Sequence, residues 1–181
     1  DTATVEVLPN HLTFHAPDCY EELGTLAQQN PPIREKNHQD ALWQAINDGT
    51  VDIVASDHAP HTLEEKSGTY PNTPSGTPGV QTLLPIMLNH AANGKLTYER
   101  VVELMAYGPI KVQKLKNKCL ISEDYDADFT IVDPKMSHTI SNAEQESKSV
   151  CTPYEGKKIT GMPKMTIIRG QMVMREGELL D

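Results

Sequence analysis

Asp57, His58 and His61 stand together in the stretch IVASDHAPHTLEEK, followed at once by Glu64, Glu65 and Lys66. A carboxylate beside two imidazoles suits a divalent metal such as Zn²⁺. The carboxylate can ligate the ion, take a proton from metal-bound water and deliver it to a leaving group. The same residues admit a plainer reading, an aspartate capping a turn with its histidines on a solvated loop. The preceding residues favour chemistry. Val51, Ile53, Val54 and Ala55 read as a strand buried on both faces of a parallel sheet. Core packing asks for no aspartate there, and a buried, uncompensated carboxylate costs several kcal/mol. Strand ends are also where α/β barrels carry their catalytic groups.

The elements around this stretch alternate. TATVEVLPNHLTF opens as a strand of alternating β-formers that Pro9 stops. Residues 18–29 fit a short helix or helical loop, and NPPIR is extended because residues before proline avoid the helical region. EKNHQDALWQAINDG puts Ala41, Leu42, Ala45 and Ile46 on one helical face and ends in the stop signal Asn47–Asp48–Gly49. The strand ending at Asp57 follows, so the order is strand, helix, strand, the repeat of an α/β protein. LEEKSGTYPNTPSGTPGVQ is a Gly/Pro/Ser/Thr-rich loop placed where such folds carry substrate loops. Two helices follow, in VQTLLPIMLNHAANG and in TYERVVELMAYGPIKVQKLK, the second capped by Thr97. From Asn117 the character changes to short β-type runs, DADFTIVDP, SHTI and KMTIIRGQMVMREGEL, which indicates a small all-β region. No internal repeat is visible.

Composition narrows the function further. The chain has 181 residues and a net charge of −9, which argues against a general nucleic-acid binder. No apolar run approaches the roughly 18–20 residues of a membrane span, and the N-terminus lacks a signal-peptide pattern. The chain opens on Asp1 rather than Met. Cys19, Cys119 and Cys151 are odd in number and widely spaced, and read as free thiols of a reducing cytoplasm. His38 and His90 read as surface groups on helices, and Trp43 as a core residue. KVQKLKNK reads as a solvated helix terminus, and Met162, Met165, Met172 and Met174 as filling for a β-core.

VDIVASDHAPHTLEEK resembles the eighth-strand motif of the dihydroorotases, the cyclic-amide members of the amidohydrolase superfamily. The similarity continues in order along essentially the whole chain. VEVLPNHL resembles the family strand E-V-T-P-H-H-L, NPPIR resembles N-P-P-L-R, and PSGTPGVQT is similar to the substrate-loop segment. DADFTIVDP, SKSVCTPYEGKKITG and TIIRGQMV are similar to the closing β-region. Hydantoinases and allantoinases differ within the strand-end segment, so the resemblance favours dihydroorotase.

That resemblance implies an α/β protein: the C-terminal part of a (β/α)8 TIM-type barrel over residues 1–116, then part of a small β-sandwich domain over 117–181. It implies zinc-dependent, reversible hydrolysis of dihydroorotate to carbamoyl aspartate in pyrimidine biosynthesis. Asp57 matches the metal-binding aspartate that is also the general base and acid. Asn30, His61, Ser75 and Gly76 match substrate-holding positions. The implied partners are the small-molecule substrate and either a second copy of the chain or the N-terminal part of the enzyme, with no nucleic acid and no membrane. The departures are Asn10, where the family has the first of two histidines, YGPIKV in place of an Asn-Pro-Ala segment, and SEDYDADF without its customary glycine. The family's first-strand H-x-H is absent too. By order VEVLPNHL and VDIVAS are the seventh and eighth strands, so the expectation is a fragment, inactive alone, with the remaining ligands elsewhere. A non-catalytic scaffold of the same family is the alternative, and retention of Asp57, His61 and Asn30 argues against it.

Overall fold

Two short parallel strands organise the first half of the protein. In the computed structural model, which describes residues 3–180, Glu6–Val7 (β1) pairs with Ile53–Val54 (β2) in parallel register, Glu6 with Ile53 and Val7 with Val54. Asp1, Thr2 and Asp181 lie outside the described residues, and Thr2 belongs to the expected opening strand. β1 is shorter than that expectation. Pro9 does end it, by starting the helix Pro9–Thr13 (α1), since a proline without an N–H costs nothing in a first helical turn. Asp18–Leu23 (α2) and a 3₁₀ turn over Gly24–Ala27 follow.

The crossover between the two strands is the helix Lys36–Asn47 (α3). Its core face is the expected one for Leu42, Ala45 and Ile46, with Trp43 added and Ala41 left out. Ala41 is exposed, while Trp43 and Ile46 enter the core with Val7, Leu12, Val51 and Val54. The buried indole needs a partner for its N–H, and Nε1 donates to the Leu12 carbonyl at 3.0 Å. Arg100 locks the far end of α3. Its Nε donates to the Ile46 carbonyl at 2.9 Å, and one terminal nitrogen donates to the Val51 carbonyl at 2.7 Å.

After β2 come a one-turn helix Leu63–Lys66 (α4), the buried helix Leu83–Ala92 (α5), and a helical run made of Tyr98–Val102 (α6), a π-type segment Glu103–Tyr107 and Gly108–Gln113 (α7). Thr97 caps α6 by accepting from the Arg100 N–H at 3.1 Å. The last third is an antiparallel meander of Phe129–Thr139 (β3), Lys158–Ile168 (β4), Gln171–Arg175 (β5) and Glu178–Leu179 (β6), in the order β3-β4-β5-β6. DFTIVDP and SHTI thus form one strand. Pro134 cannot donate to the ladder, so the register shifts between Asp133 and Ser137 and the strand bends there instead of breaking.

The meander is not independent of the helices. Ile86 of α5 shares a buried cluster with Ile140, Tyr154 and Ile159, against which Phe14 and Met162 pack. β4 reaches α5 through Gly161, whose φ of +102° and nearness to Leu88, 2.7 Å from where a Cβ would stand, exclude a side chain. Tyr154 is buried, and burial pushes its phenol well above the ordinary value. Its hydroxyl donates to Asn10 Oδ1 at 2.6 Å, while Asn10 Nδ2 donates to Gln29 at 2.7 Å and to Thr77 at 2.8 Å. Asn10, the departure from the family's histidine, is therefore the buried junction of three segments.

His90 departs from its surface reading. It packs edge-on to Trp43 with ring centroids 4.8 Å apart, its Nε2 lies 2.9 Å from the Thr13 hydroxyl, and burial pushes its pKa down to about 4.

Two stability measurements follow from these contacts. Tyr154→Phe leaves Asn10 Oδ1 buried without its donor and is expected to cost about 1–3 kcal/mol, read from the urea midpoint of the protein carrying this chain. The second concerns acid. An unfolded chain protonates His90 near its ordinary value of 6.5, whereas the folded chain resists until about 4, so stability is present above the first value and lost as pH falls toward the second. The loss from this one group is on the order of 3 kcal/mol, and His90→Gln should flatten the acid limb of stability against pH. An unchanged slope would remove His90 from that limb.

Candidate functional site

Parallel pairing puts the C-terminal ends of β1 and β2 at the same edge. The chain leaves β1 into α1 and β2 into the turn at Asp57, so both strand-end segments face one region. Asp57 adopts a left-handed backbone, φ 45°, which aspartate tolerates better than most residues. The residue is exposed, not buried as its strand suggests, because the regular strand ends three residues earlier. Among the described residues its carboxylate has no hydrogen-bond or ion-pair partner. It is a solvent-exposed acceptor at a strand end.

Asp57 lines a cavity of about 670 Å³ together with His11, Asn30, Arg34 and His38. His11 is held there with Nε2 3.0 Å from the Pro31 carbonyl and 3.2 Å from Gln29 Nε2. Asn30 also lines a second cavity of about 810 Å³, with Tyr20, Gln28, Arg34, Tyr70 and Ser75. So Asn30 joins Asp57 on one side and Ser75 on the other. His61 and Gly76 line neither of these two cavities. They lie against each other, with the place of a Gly76 Cβ 3.3 Å from His61 Cδ2 and 2.6 Å from the Ala59 carbonyl. That approach and a φ of +134° admit only glycine at position 76. His61 faces Glu65, Nδ1 to Oε2 3.6 Å.

His58 is occupied otherwise. Its Nδ1 accepts the N–H of Gly79 at 3.0 Å and of Val80 at 3.3 Å, which fixes the neutral ring with its proton on Nε2. His58 thereby pins the start of the loop that leads into α5. Thr62 and Glu65 form a reciprocal capping box on α4, and the Thr62 backbone N–H holds the Glu65 carboxyl below its usual range.

Among the described residues no three His, Cys, Asp or Glu side chains converge on a position that would hold an ion. Asp57 is a hard oxygen ligand by type, but one carboxylate falls short of the three protein ligands of a catalytic zinc site. What these residues can do by themselves is accept a proton at Asp57 and hold polar edges of a small molecule at Asn30, Ser75 and His11.

Gln28, Gln29 and Lys66 carry no chemical signature in the sequence, yet they shape this region. Lys66 is buried at 3% exposure, with Nζ 3.0 Å from each of two backbone carbonyls, those of Gln28 and Pro74. The one signal for it is the T-x-x-E capping box, which closes a single helical turn just before this lysine and turns it inward.

Residues 7–173 match the model of the amidohydrolase family. The chain is 42% identical over 171 residues to a dihydroorotase of Halobacterium salinarum, covering 94% of this chain, and 41% identical to one of Pyrococcus furiosus over 175 residues, covering 97%. In each case it spans about 40% of the relative's length. Among solved structures it superposes on an L-hydantoinase (dihydropyrimidinase) of Arthrobacter aurescens with a TM-score of 0.93 at 30% identity, covering 98% of this chain and 40% of that one. A D-hydantoinase of a Thermus species gives 0.89 at 25%, with the same coverage. The α/β half accordingly resembles part of the barrel of these enzymes. With the family model matching nearly its whole length and an unpaired aspartate at the end of a parallel strand, this chain belongs to the amidohydrolase family.

Proposed function

We propose that the chain is the C-terminal part of a dihydroorotase, and that the whole protein reversibly hydrolyses (S)-dihydroorotate to N-carbamoyl-L-aspartate in pyrimidine biosynthesis. The observation that carries this reading is the free Asp57 carboxylate sharing one cavity with Asn30 and His11 at the ends of two parallel strands. Hydrolysis adds water to the ring carbonyl, breaks the C–N bond and protonates the departing nitrogen. Asp57 takes the proton from the attacking water and returns it to that nitrogen. Asn30, Ser75 and His61 hold the amide and carboxylate edges of the ring. The Gly76 N–H is already engaged with the Gln28 carbonyl at 2.9 Å, so Gly76 serves by letting the loop pass close to Ala59.

Zn²⁺ is part of this proposal, with Asp57 as one ligand and the others in residues outside these 181. The ion would supply a water acidic enough to attack at neutral pH. A barrel over 1–116 and a β-sandwich part over 117–181, self-association or association with an N-terminal part, and a cytoplasmic setting belong to the same reading. No helix among the described residues is long and apolar enough to cross a membrane. A hydantoinase-type activity is the second reading, favoured by the TM-score of 0.93 to the L-hydantoinase. Dihydroorotate and a 5-substituted hydantoin, offered side by side to the full-length protein, separate the two. Faster turnover of the hydantoin would overturn the first.

In that protein Asp57→Asn keeps the shape and loses the proton acceptor, so kcat should fall by about 10²–10⁴-fold. Turnover near that of the parent would exclude Asp57 from the proton transfer. Asn30→Ala and His61→Ala should each lower kcat/KM by an amount worth roughly 1–3 kcal/mol while bound metal stays constant. Loss of metal on His61→Ala, with substrate affinity intact, would make His61 a ligand instead. The 181-residue chain assayed alone with Zn²⁺ should show no turnover, because two parallel strands cannot close a barrel.

A further inference from the structure

Lys66 has no counter-ion among the described residues. It is buried, it forms no ion pair among the described residues, and burial lowers its pKa from the ordinary lysine value. A site that needed only volume would hold methionine or leucine at less cost. The ammonium is instead spent on backbone carbonyls from two different loops, Gln28 and Pro74, each at 3.0 Å. Around it the same two loops are stitched again. Gln28 Nε2 donates to the Thr73 carbonyl at 2.8 Å and to the Ser75 hydroxyl at 3.4 Å, Gly76 N–H donates to the Gln28 carbonyl at 2.9 Å, and the Thr73 hydroxyl donates to Gln28 Oε1. The Thr25 hydroxyl donates to the carbonyl of Lys66 itself.

These bonds join three segments that are distant in sequence: 24–30, 57–66 and 73–77. Each carries a residue placed above on the substrate, namely Asn30 on the first, His61 on the second and Ser75 on the third. We infer that Lys66 is a positioning residue, whose ammonium ties the three strand-end loops into one surface that reads the substrate. The inference rests on the substrate-holding roles of Asn30, His61 and Ser75. An ammonium suits the task because its three N–H groups point in different directions and can donate to carbonyls of separate loops, which no apolar side chain of that length does. Asp57 makes none of these bonds, so losing the clamp should loosen substrate binding and leave proton transfer largely as it was.

The test uses the full-length protein with Lys66→Met, which keeps the stem and removes the donors, and Lys66→Gln, which keeps an amide. For Lys66→Met the KM for dihydroorotate should rise about tenfold or more, a change worth about 1.4 kcal/mol, with kcat within about threefold and metal content unchanged. Amide hydrogen exchange in peptides covering 24–30 and 67–80 should speed up together. Lys66→Gln should fall between parent and methionine variant on both measures, and it supplies both readings if the methionine variant does not fold. An unchanged KM, or a kcat that drops at constant KM as from a partly unfolded population, would overturn the inference. So would a higher KM with unchanged exchange in the two loops. If the parent turns over no cyclic ureide, the proposed activity fails, and exchange alone decides the clamp: faster in both loops sustains it, unchanged in either refutes it.

Discussion

The parallel pairing of Glu6–Val7 with Ile53–Val54 is the constraint from which the rest of the arrangement follows. Two parallel strands cannot be joined by a tight turn. The chain must cross back over the sheet, and α3 is that crossing. Once α3 lies there, Trp43 and Ile46 close the core against Val7, Val51 and Val54. The pairing also brings two separate strand ends to one edge. His11 and Asn30 arrive from the first and Asp57 from the second, although more than forty residues separate His11 from Asp57 along the chain.

An edge built from loops needs something other than apolar packing to hold it. Loops carry backbone N–H and C=O groups that no ladder satisfies, and each must find a partner when water is excluded. Here buried polar side chains tie the loops together, through other side chains as well as through backbone carbonyls. Asn10 gathers Gln29, Thr77 and Tyr154, and Lys66 gathers the carbonyls of Gln28 and Pro74. No buried side-chain nitrogen or oxygen among the described residues is left without a partner. Networks of this kind are stiff when complete and costly when one member is lost, which is how a loop region can hold a fixed shape. The Tyr154–Asn10 bond extends the same stiffness to the segment after β3, so that the meander and the strand-end region share one network as well as one apolar cluster.

The free carboxylate of Asp57 stands out against that background. A carboxylate that only capped a turn would accept from nearby backbone amides, as Asp48 does from Thr50 at 2.9 Å. Asp57 accepts from none among the described residues, on a left-handed backbone that turns it away from the ladder. Its neighbours are oriented by others: His58 by Gly79 and Val80, and His11 by Pro31 and Gln29. The cavity thus sets oriented side chains around one exposed carboxylate that no protein group among the described residues engages.

The sequence by itself determined the order strand, helix, strand, the helices after residue 80, the change to β-structure after Asn117 and, through the motif around Asp57, the family. These are local properties. Alternation, helical periodicity, proline and glycine stops and a contiguous motif are all written within a dozen residues. Tertiary structure decided what depends on residues far apart. The Leu12 carbonyl became the partner of the buried Trp43 N–H, and Trp43 and Thr13 drew His90 from the surface. His61 came to lie against Gly76, outside the lining of the cavity of Asp57. Lys66, an ordinary surface residue to any reading of composition, became a buried tie because carbonyls of two loops meet at its ammonium. A buried polar group is defined by its partners, and those partners become neighbours only when the chain has folded.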